Sequence, residues 1–411
     1  METFAFAGLS VLLLIWLAGT RHGRLATAVL GIGLSTLQER KGATLVIVAG
    51  VGGVVAVLVA LLSMSQGLQR TIRDTGDDAT AIVLGGSSNE SGSLLTREQV
   101  ELIAGKPGIL RGPDGKAVMS AETLGFVRLN KRSSGAPGRV GLRGVGAQAA
   151  SVRANTRIVA GRLFRPGMHE LIVGVSAREV FAGLDIGRDL TINSQTWRIV
   201  GAFASGDAHE SEVFADSETL AAAFRRSGYQ SVVVRLASPQ SFEELKTALT
   251  ADRQLKVNVR TTRDYYIAGS GSRIKVIHIV GNMIAAIMAV GALFGALNVT
   301  YTTVQSRARE IGTLRALGYD PLPILVAVML ETMLLAVLGG ALGALLSWGL
   351  FDEFTASTLG ASAGALAFRF DVSGALIWTG LKWALVIGFI GGMLPALQAT
   401  TLSPATVLRQ T

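Results

Sequence analysis

The sequence predicts an α-helical membrane protein carrying a large external α/β domain, and three observations lead there. Four apolar stretches, residues 44–64, 277–304, 324–350 and 375–397, are each long enough to cross a hydrocarbon core of about 30 Å as a helix. Residues 66–276, between the first two stretches, are polar and strand-rich instead. Basic residues collect at alternate ends of the spans: Arg40 and Lys41 before the first, Arg307, Arg309 and Arg315 after the second, Arg409 after the fourth. The positive-inside rule puts these in the cytoplasm and the long segment outside. With 49% hydrophobic and 16% charged residues and a mean hydropathy of +0.46, the chain is too apolar for a soluble protein and too charged for a wholly intramembrane one.

Taken in order, residues 1–20 hold an apolar run, 4–17, preceded by Glu2 and followed by Arg21 and Arg24. That is the reverse of a secretory signal peptide, so an extra N-terminal transmembrane helix is expected. Residues 21–43 include a mildly amphipathic stretch, 26–38, suited to an elbow helix on the inner leaflet. The core spans then fall at 44–65, 277–304, 323–350 and 375–397. They are separated by the external domain (66–276), a short cytoplasmic helix (305–322) and an external loop (351–374), with a cytoplasmic tail at 398–411. GxxxG spacings at Gly291/Gly295, Gly339/Gly343 and Gly388/Gly392 permit close helix contacts.

The external domain reads as two subdomains. Strand 80–84 and helix 96–104, with Thr96 and Gln99 spaced as a capping box, stand at one end. Strand 231–236, helix 238–249 capped by Ser238 with Pro239 at its first position, and strand 256–260 stand at the other. Together, 66–114 and 229–276 form an α/β subdomain. The insert 115–228 is β-rich, with strands at 117–120, 123–129, 170–173, 189–192 and 196–200.

Several chemistries are excluded. Without cysteine there are no disulfides, thiol nucleophiles or thiolate metal sites. No GxxxxGK followed by Ser or Thr occurs, and GPDGKA at 112–117 lacks both spacing and hydroxyl, so the chain holds no cofactor and any ATP and Mg belong to another polypeptide. The net charge of +9 is assigned to arginines beside anionic lipid, because no basic run interleaves with aromatics as nucleic-acid binding requires. The four histidines are scattered and no nucleophile elbow is present. Asp207, His209, Glu210 and Glu212 read as solvated loop residues rather than a metal site. Glu331, inside the third span, is an expensive intramembrane acid and reads as a buried hydrogen-bonding group, while His278, Asn282 and Asn298 read as interhelical polar contacts.

The stretch RAREIGTLRALG (307–318), Glu331 early in the next span, the glycines at 339–343, the ending GMLPALQATTLSPATVLR (392–409) and the external segment 161–200 together resemble the MacB/FtsX-type ABC transporter permeases. The resemblance runs from about residue 25 to the C-terminus. It implies four core helices, an external domain between the first two, and a cytoplasmic coupling helix formed by Arg307, Glu310, Ile311, Leu314, Arg315 and Leu317. Ile311, Leu314 and Leu317 are expected to form an apolar ridge that docks on an ATPase. It also implies a homodimer in the bacterial inner membrane with its large domain in the periplasm, two ATPase subunits holding ATP and Mg, and a periplasmic adaptor. Closure of the ATPase pair would move the external domains as a mechanical relay. Cargoes in the family include macrolides, peptides, siderophores and lipids. MacB carries its ATPase in the same chain, so this chain resembles the split-subunit members, and its extra N-terminal helix lies outside the four-helix pattern. Competing readings are lipoprotein extraction in the manner of LolC/LolE, regulation of cell-wall hydrolases as in FtsX, and secondary transport driven by Glu331.

Overall fold

The computed structural model describes residues 15–35, 41–306, 308–357 and 366–401. In chain order its principal elements are α1 (Arg21–Ser35), α2 (Lys41–Thr75), β1 (Thr80–Gly85), α3 (Arg97–Ala104), β2 (Met119–Asn130), β3 (Pro137–Val145), β4 (Arg157–Gly161), β5 (Glu170–Gly174), β6 (Asp189–Ile192), β7 (Gln195–Ala204), β8 (Glu212–Asp216), β9 (Ser231–Arg235), α4 (Ser241–Thr250), β10 (Val257–Thr261), α5 (Thr262–Ser306), α6 (Ala308–Ala316), α7 (Pro321–Phe351), β11 (Thr355–Ser357), β12 (Ala367–Arg369) and α8 (Gly374–Thr401). They divide into a helical unit (1–64, 277–353 and 371–411) and a sheet unit (65–276 and 354–370). Apart from residues 15–19, which are helical, the expected N-terminal span lies outside the described residues.

Among the described residues of the helical unit, four helices are long and apolar enough to cross a membrane: Thr44–Thr75, Ile279–Thr302, Pro321–Phe351 and Gly374–Thr400. Lipid offers little hydrophobic drive for helix association, so the contacts rest on close packing of small residues. A Cβ added to Gly343 would lie 2.1 Å from the Gly52 carbonyl oxygen, and one on Gly339 would lie 2.6 Å from that of Val48. The first and third spans therefore meet backbone to backbone. Gly388 and Gly392 similarly receive Ala336 and Thr332. The third expected spacing, Gly291/Gly295, meets nothing within 4 Å. Around these seams Val51, Val55, Val59, Leu335, Ala336, Ala384 and Ile387 form the buried core.

The sheet unit holds one ten-stranded sheet in the order β10-β1-β9-β2-β3-β8-β5-β7-β4, with β6 on β7. The long strand β2 unites the two expected subdomains: its first half pairs with β9 and its second with β3. Among the described residues, four buried clusters lie along the sheet, two of them large. One, with Val83, Leu95, Ile103, Val234, Leu245 and Leu249, serves the α/β half; the other, with Leu142, Leu171, Phe181, Trp197 and Ile199, serves the insert.

Local details correct several expectations. The two strands expected at 117–120 and 123–129 are one, β2. Strands β3, β4 and β8 were not foreseen, since glycine and arginine interrupt the alternation of β3 and most of β4 is exposed. Thr96 does form a full capping box with Gln99. Helix α4, by contrast, starts at Ser241, and Ser238 instead bonds the Ser241 hydroxyl at 3.0 Å. The segment between the third and fourth spans is not simply a loop: β11 and β12 form a hairpin that belongs to the sheet unit. Phe368 is buried there, and Ser211 Oγ accepts from the Ala367 N–H at 2.8 Å.

The glycine seam makes a direct prediction. Gly343→Ala must push the first and third spans apart and should destabilise the purified protein by about 1–3 kcal/mol. Gly53→Ala, where nothing lies within 4 Å, should leave thermal melting in detergent unchanged. Equal melting of the two variants would contradict the seam.

Candidate functional site

Two places concentrate polar groups whose positions depend on the fold: the helix between the second and third spans, and the interior of the sheet unit.

The first is α6. It ends in a Schellman motif in which Gly318, at φ +91°, turns the chain, the Gly318 N–H donates to the Arg315 carbonyl and the Tyr319 N–H donates to that of Leu314, both at 3.1 Å. Pro321 then opens α7 at its first turn. Of the six residues expected to act here, Arg307 lies outside the described residues. Glu310 is exposed in the first turn of α6, and Leu317 is 73% exposed just beyond its end. Leu314 and Arg315 are half-buried. Ile311 is turned inward, into a buried cluster with Val304, Ile324, Val328, Ala396 and Ala399. The expected apolar ridge is therefore split: the helix is too close to its own bundle for Ile311 to remain on an open face. Arg315, four residues on, follows Ile311 inward, and its Nη1 donates to the Thr400 carbonyl at 2.7 Å.

Glu331 is buried within α7, and its neighbour Thr332 returns its hydroxyl to the Val328 carbonyl at 2.6 Å. Asn298 is exposed on α5, while the side chains of His278, Asn282 and Arg309 are not among those described.

The second place was missed by sequence reasoning. Arg143 on β3, 3% exposed, donates from Nη1 to Glu90 Oε1 at 2.7 Å and to Glu122 Oε2 at 3.0 Å. Its Nε and Nη2 grip Glu212 bidentately at 2.7 and 2.9 Å. Arg153 clasps Glu122 from the other side, with Nη2 on Oε2 at 2.8 Å. His209 closes the ring: Arg153 Nε can only donate, so His209 Nε2 accepts at 3.3 Å, and its Nδ1 proton goes to Glu212 Oε2 at 3.1 Å. Ser231 Oγ donates to Glu90 Oε1 at 2.8 Å. The tyrosines in the first turns of α5 complete the shell. Tyr265 Oη accepts the Glu90 N–H at 3.1 Å, and Tyr266 Oη lies 3.4 Å from His209 Nε2.

The solvated reading of Asp207, His209, Glu210 and Glu212 is thus overturned. His209 is buried, Asp207 caps the turn by accepting its N–H, and Glu210 accepts from the Ser205 and Gly206 N–H groups at 2.8 and 2.7 Å. The available signal was an arginine inside the strand-like run GRVGLRGV and a glutamate inside SAETLGF. A charge in the middle of a buried strand needs a partner, but one sequence does not say which.

The electrostatics follow from burial and partners. Burial pushes Glu122 up, but the Arg153 and Arg143 guanidinium groups outweigh it and hold the carboxyl at about 2. Glu212 is likewise held well below the usual carboxylate range: burial opposes it, and Arg143 and His209 prevail. Burial pushes the Tyr265 hydroxyl up to about 12 and Tyr266 well above its ordinary value. The cluster is a fixed polar joint, in which Glu122 and Glu212 are held charged and the Tyr265 and Tyr266 hydroxyls protonated.

Comparison with known proteins now places this architecture. Residues 43–252, more than half of the chain, match the MacB-like periplasmic core domain, and residues 282–404 match the FtsX-like permease C-terminal region. The chain belongs to the MacB/FtsX permease family. As a MacB/FtsX-type permease it is 27% identical over 293 residues to the macrolide export ATP-binding/permease protein MacB of Rhodopseudomonas palustris (strain BisB18), a match covering 65% of this chain and 42% of that one. It is 26% identical over 246 residues to the ABC transporter permease YknZ of Bacillus subtilis (strain 168), covering 57% and 59%. The chain thus spans about half the length of these relatives. Among solved structures, the periplasmic region of MacB from Actinobacillus actinomycetemcomitans matches 46% of this chain and 92% of its own, at 15% identity and a TM-score of 0.36. The extracellular domain of YknZ matches 44% and 98%, at 16% identity and a TM-score of 0.33.

The polar joint predicts an acid transition. The folded value of Glu122, about 2, lies below its ordinary 4.5. Its contribution to stability is therefore complete above the ordinary value and lost as pH falls through the folded one. Hydrogen-exchange protection of residues 119–145 in the full chain should fall across that window. Glu122→Gln should flatten this pH dependence and cost about 3–5 kcal/mol at neutral pH by leaving two buried guanidinium groups undercompensated. Protection that stays flat from pH 5 to 2 in the native chain would overturn the assignment.

Proposed function

We propose that this chain is the permease subunit of an ABC transporter, coupling ATP hydrolysis by a separate ATPase subunit to motion of its periplasmic-type domain for export of a substrate. The observation that carries the reading is α6: a short charged helix between two spans, held against its own bundle by Ile311 and presenting Glu310 and Leu317 outward. A helix of that kind suits docking of a cytosolic partner, with Leu314 at its margin. In this reading the ATPase subunit holds ATP and Mg, and the permease contributes the helix on which it docks. The working assembly is two copies of this chain with two ATPase subunits in the bacterial inner membrane, joined by a periplasmic adaptor. The face of α5 bearing Gly291 and Gly295, with Ile287, Val290 and Phe294 exposed beside them, supports a second copy there. The names of relatives, macrolide export for MacB and pyoverdine export for PvdT of Pseudomonas aeruginosa, favour export of bulky amphipathic compounds.

The test is capture of the ATPase from native membranes by the tagged full-length chain. Native chain should bring down an ATPase subunit and support hydrolysis. The pair Glu310→Lys and Leu317→Asp should reduce both roughly tenfold or more, as expected for a charged rim and an apolar anchor lost together. Undiminished capture and turnover in that variant would sink the docking assignment.

A further inference from the structure

The inward face of α6 does something different from its outward face. Its two inward groups reach the same few residues of α8. Ile311 shares a buried cluster with Ala396 and Ala399, both 0% exposed, and Arg315 Nη1 donates to the Thr400 carbonyl at 2.7 Å. That carbonyl lies in the final turn of α8, where helix carbonyls lack intrahelical donors and the dipole favours a cation. Immediately before this segment stands Pro395, inside the helix. Its ring nitrogen has no hydrogen to offer the Gly391 carbonyl, and proline weakens and kinks a helix at that point. The last turn and a half of α8 is therefore attached to the rest of its helix through a weakened joint, and to α6 through an apolar contact and a charge-assisted hydrogen bond.

We propose that Arg315 is a positioning residue that ties α6 to the end of α8 beyond Pro395, so that displacement of α6 is delivered directly to the fourth span. The inference rests on the reading above only in that an ATPase supplies the displacement. It separates the two faces of one short helix: Glu310 and Leu317 receive force, and Arg315, with Ile311 beside it, passes it on. Arginine suits the task because its planar fork holds direction as well as charge, while a methionine of similar length would keep the packing and lose the bond.

The chain has no cysteine, so a pair introduced at Ala316 and Leu397, both exposed, carries spin labels uniquely. Labelled full-length chain, diluted with unlabelled chain and assembled with its captured ATPase in nanodiscs, is compared without nucleotide and trapped with ATP and vanadate. In the native background the distance between labels should be the same in both states, because the two segments move together. In Arg315→Met it should become nucleotide-dependent while ATPase capture stays native, and Arg315→Lys, which keeps a donor for the carbonyl, should restore the fixed distance. A distance that stays fixed in Arg315→Met overturns the proposal, as does loss of ATPase capture by that variant, which would make Arg315 a docking residue. Failure of the native chain to capture any ATPase would instead defeat the functional reading. The nucleotide-free distance distribution, broadened in Arg315→Met and narrow in native and Arg315→Lys, would still test the tie itself.

Discussion

The sheet unit depends on Arg143. Its guanidinium donates to carboxylates from three separate places, the turn after β1, strand β2 and the start of β8. Taking several charges out of water costs far more than a surface ion pair returns, so such a cluster persists only when its donors and acceptors are matched throughout. Here the hydrogen bonds meet that condition, with Arg153, His209, Ser231 and Tyr265 filling the remaining sites. The cluster is consequently a poor source of net stability and a strong source of geometry. Glu90 comes from the α/β half and Arg143 from the insert, so the cluster ties the two halves of the sheet unit together.

The same economy governs the helical unit with the opposite chemistry. Where the sheet unit fixes its parts by directed charge, the spans are fixed by absence of side chains: Gly52, Gly339 and Gly343 let two backbones touch. Both devices act at short range and tolerate little change in spacing. The chain passes between the two units four times, at residues 64/65, 276/277, 353/354 and 370/371. Two of those passages fall inside the continuous helices α2 and α5 and two flank the β11–β12 hairpin. Tyr265 and Tyr266, at the start of α5, bring the polar joint into the helix that continues into the second span.

Helix α6 is integrated with the ends of its neighbours through Ile311 and Arg315. The two halves of the sheet unit share β2. The described residues combine a polar joint in the sheet unit with glycine joints between the spans.

The sequence by itself determined the spans, the long polar segment between the first two, the capping box at Thr96 and the family, because length, hydropathy and local motifs are properties of contiguous residues. It also singled out the helix at 308–316, from its charge and its closing glycine. What only the tertiary structure decided was which groups meet. Whether Ile311 and Arg315 face a partner or their own bundle depends on Ala396 and Thr400, some 85 residues away. Whether Glu212 and His209 are wet or buried depends on Arg143 and Arg153. Periodicity tells which face of an element is apolar, and a lone charge in a strand signals that a partner is needed. The partner's identity is set by long-range closure of the chain, which leaves no trace in the spacing of neighbours.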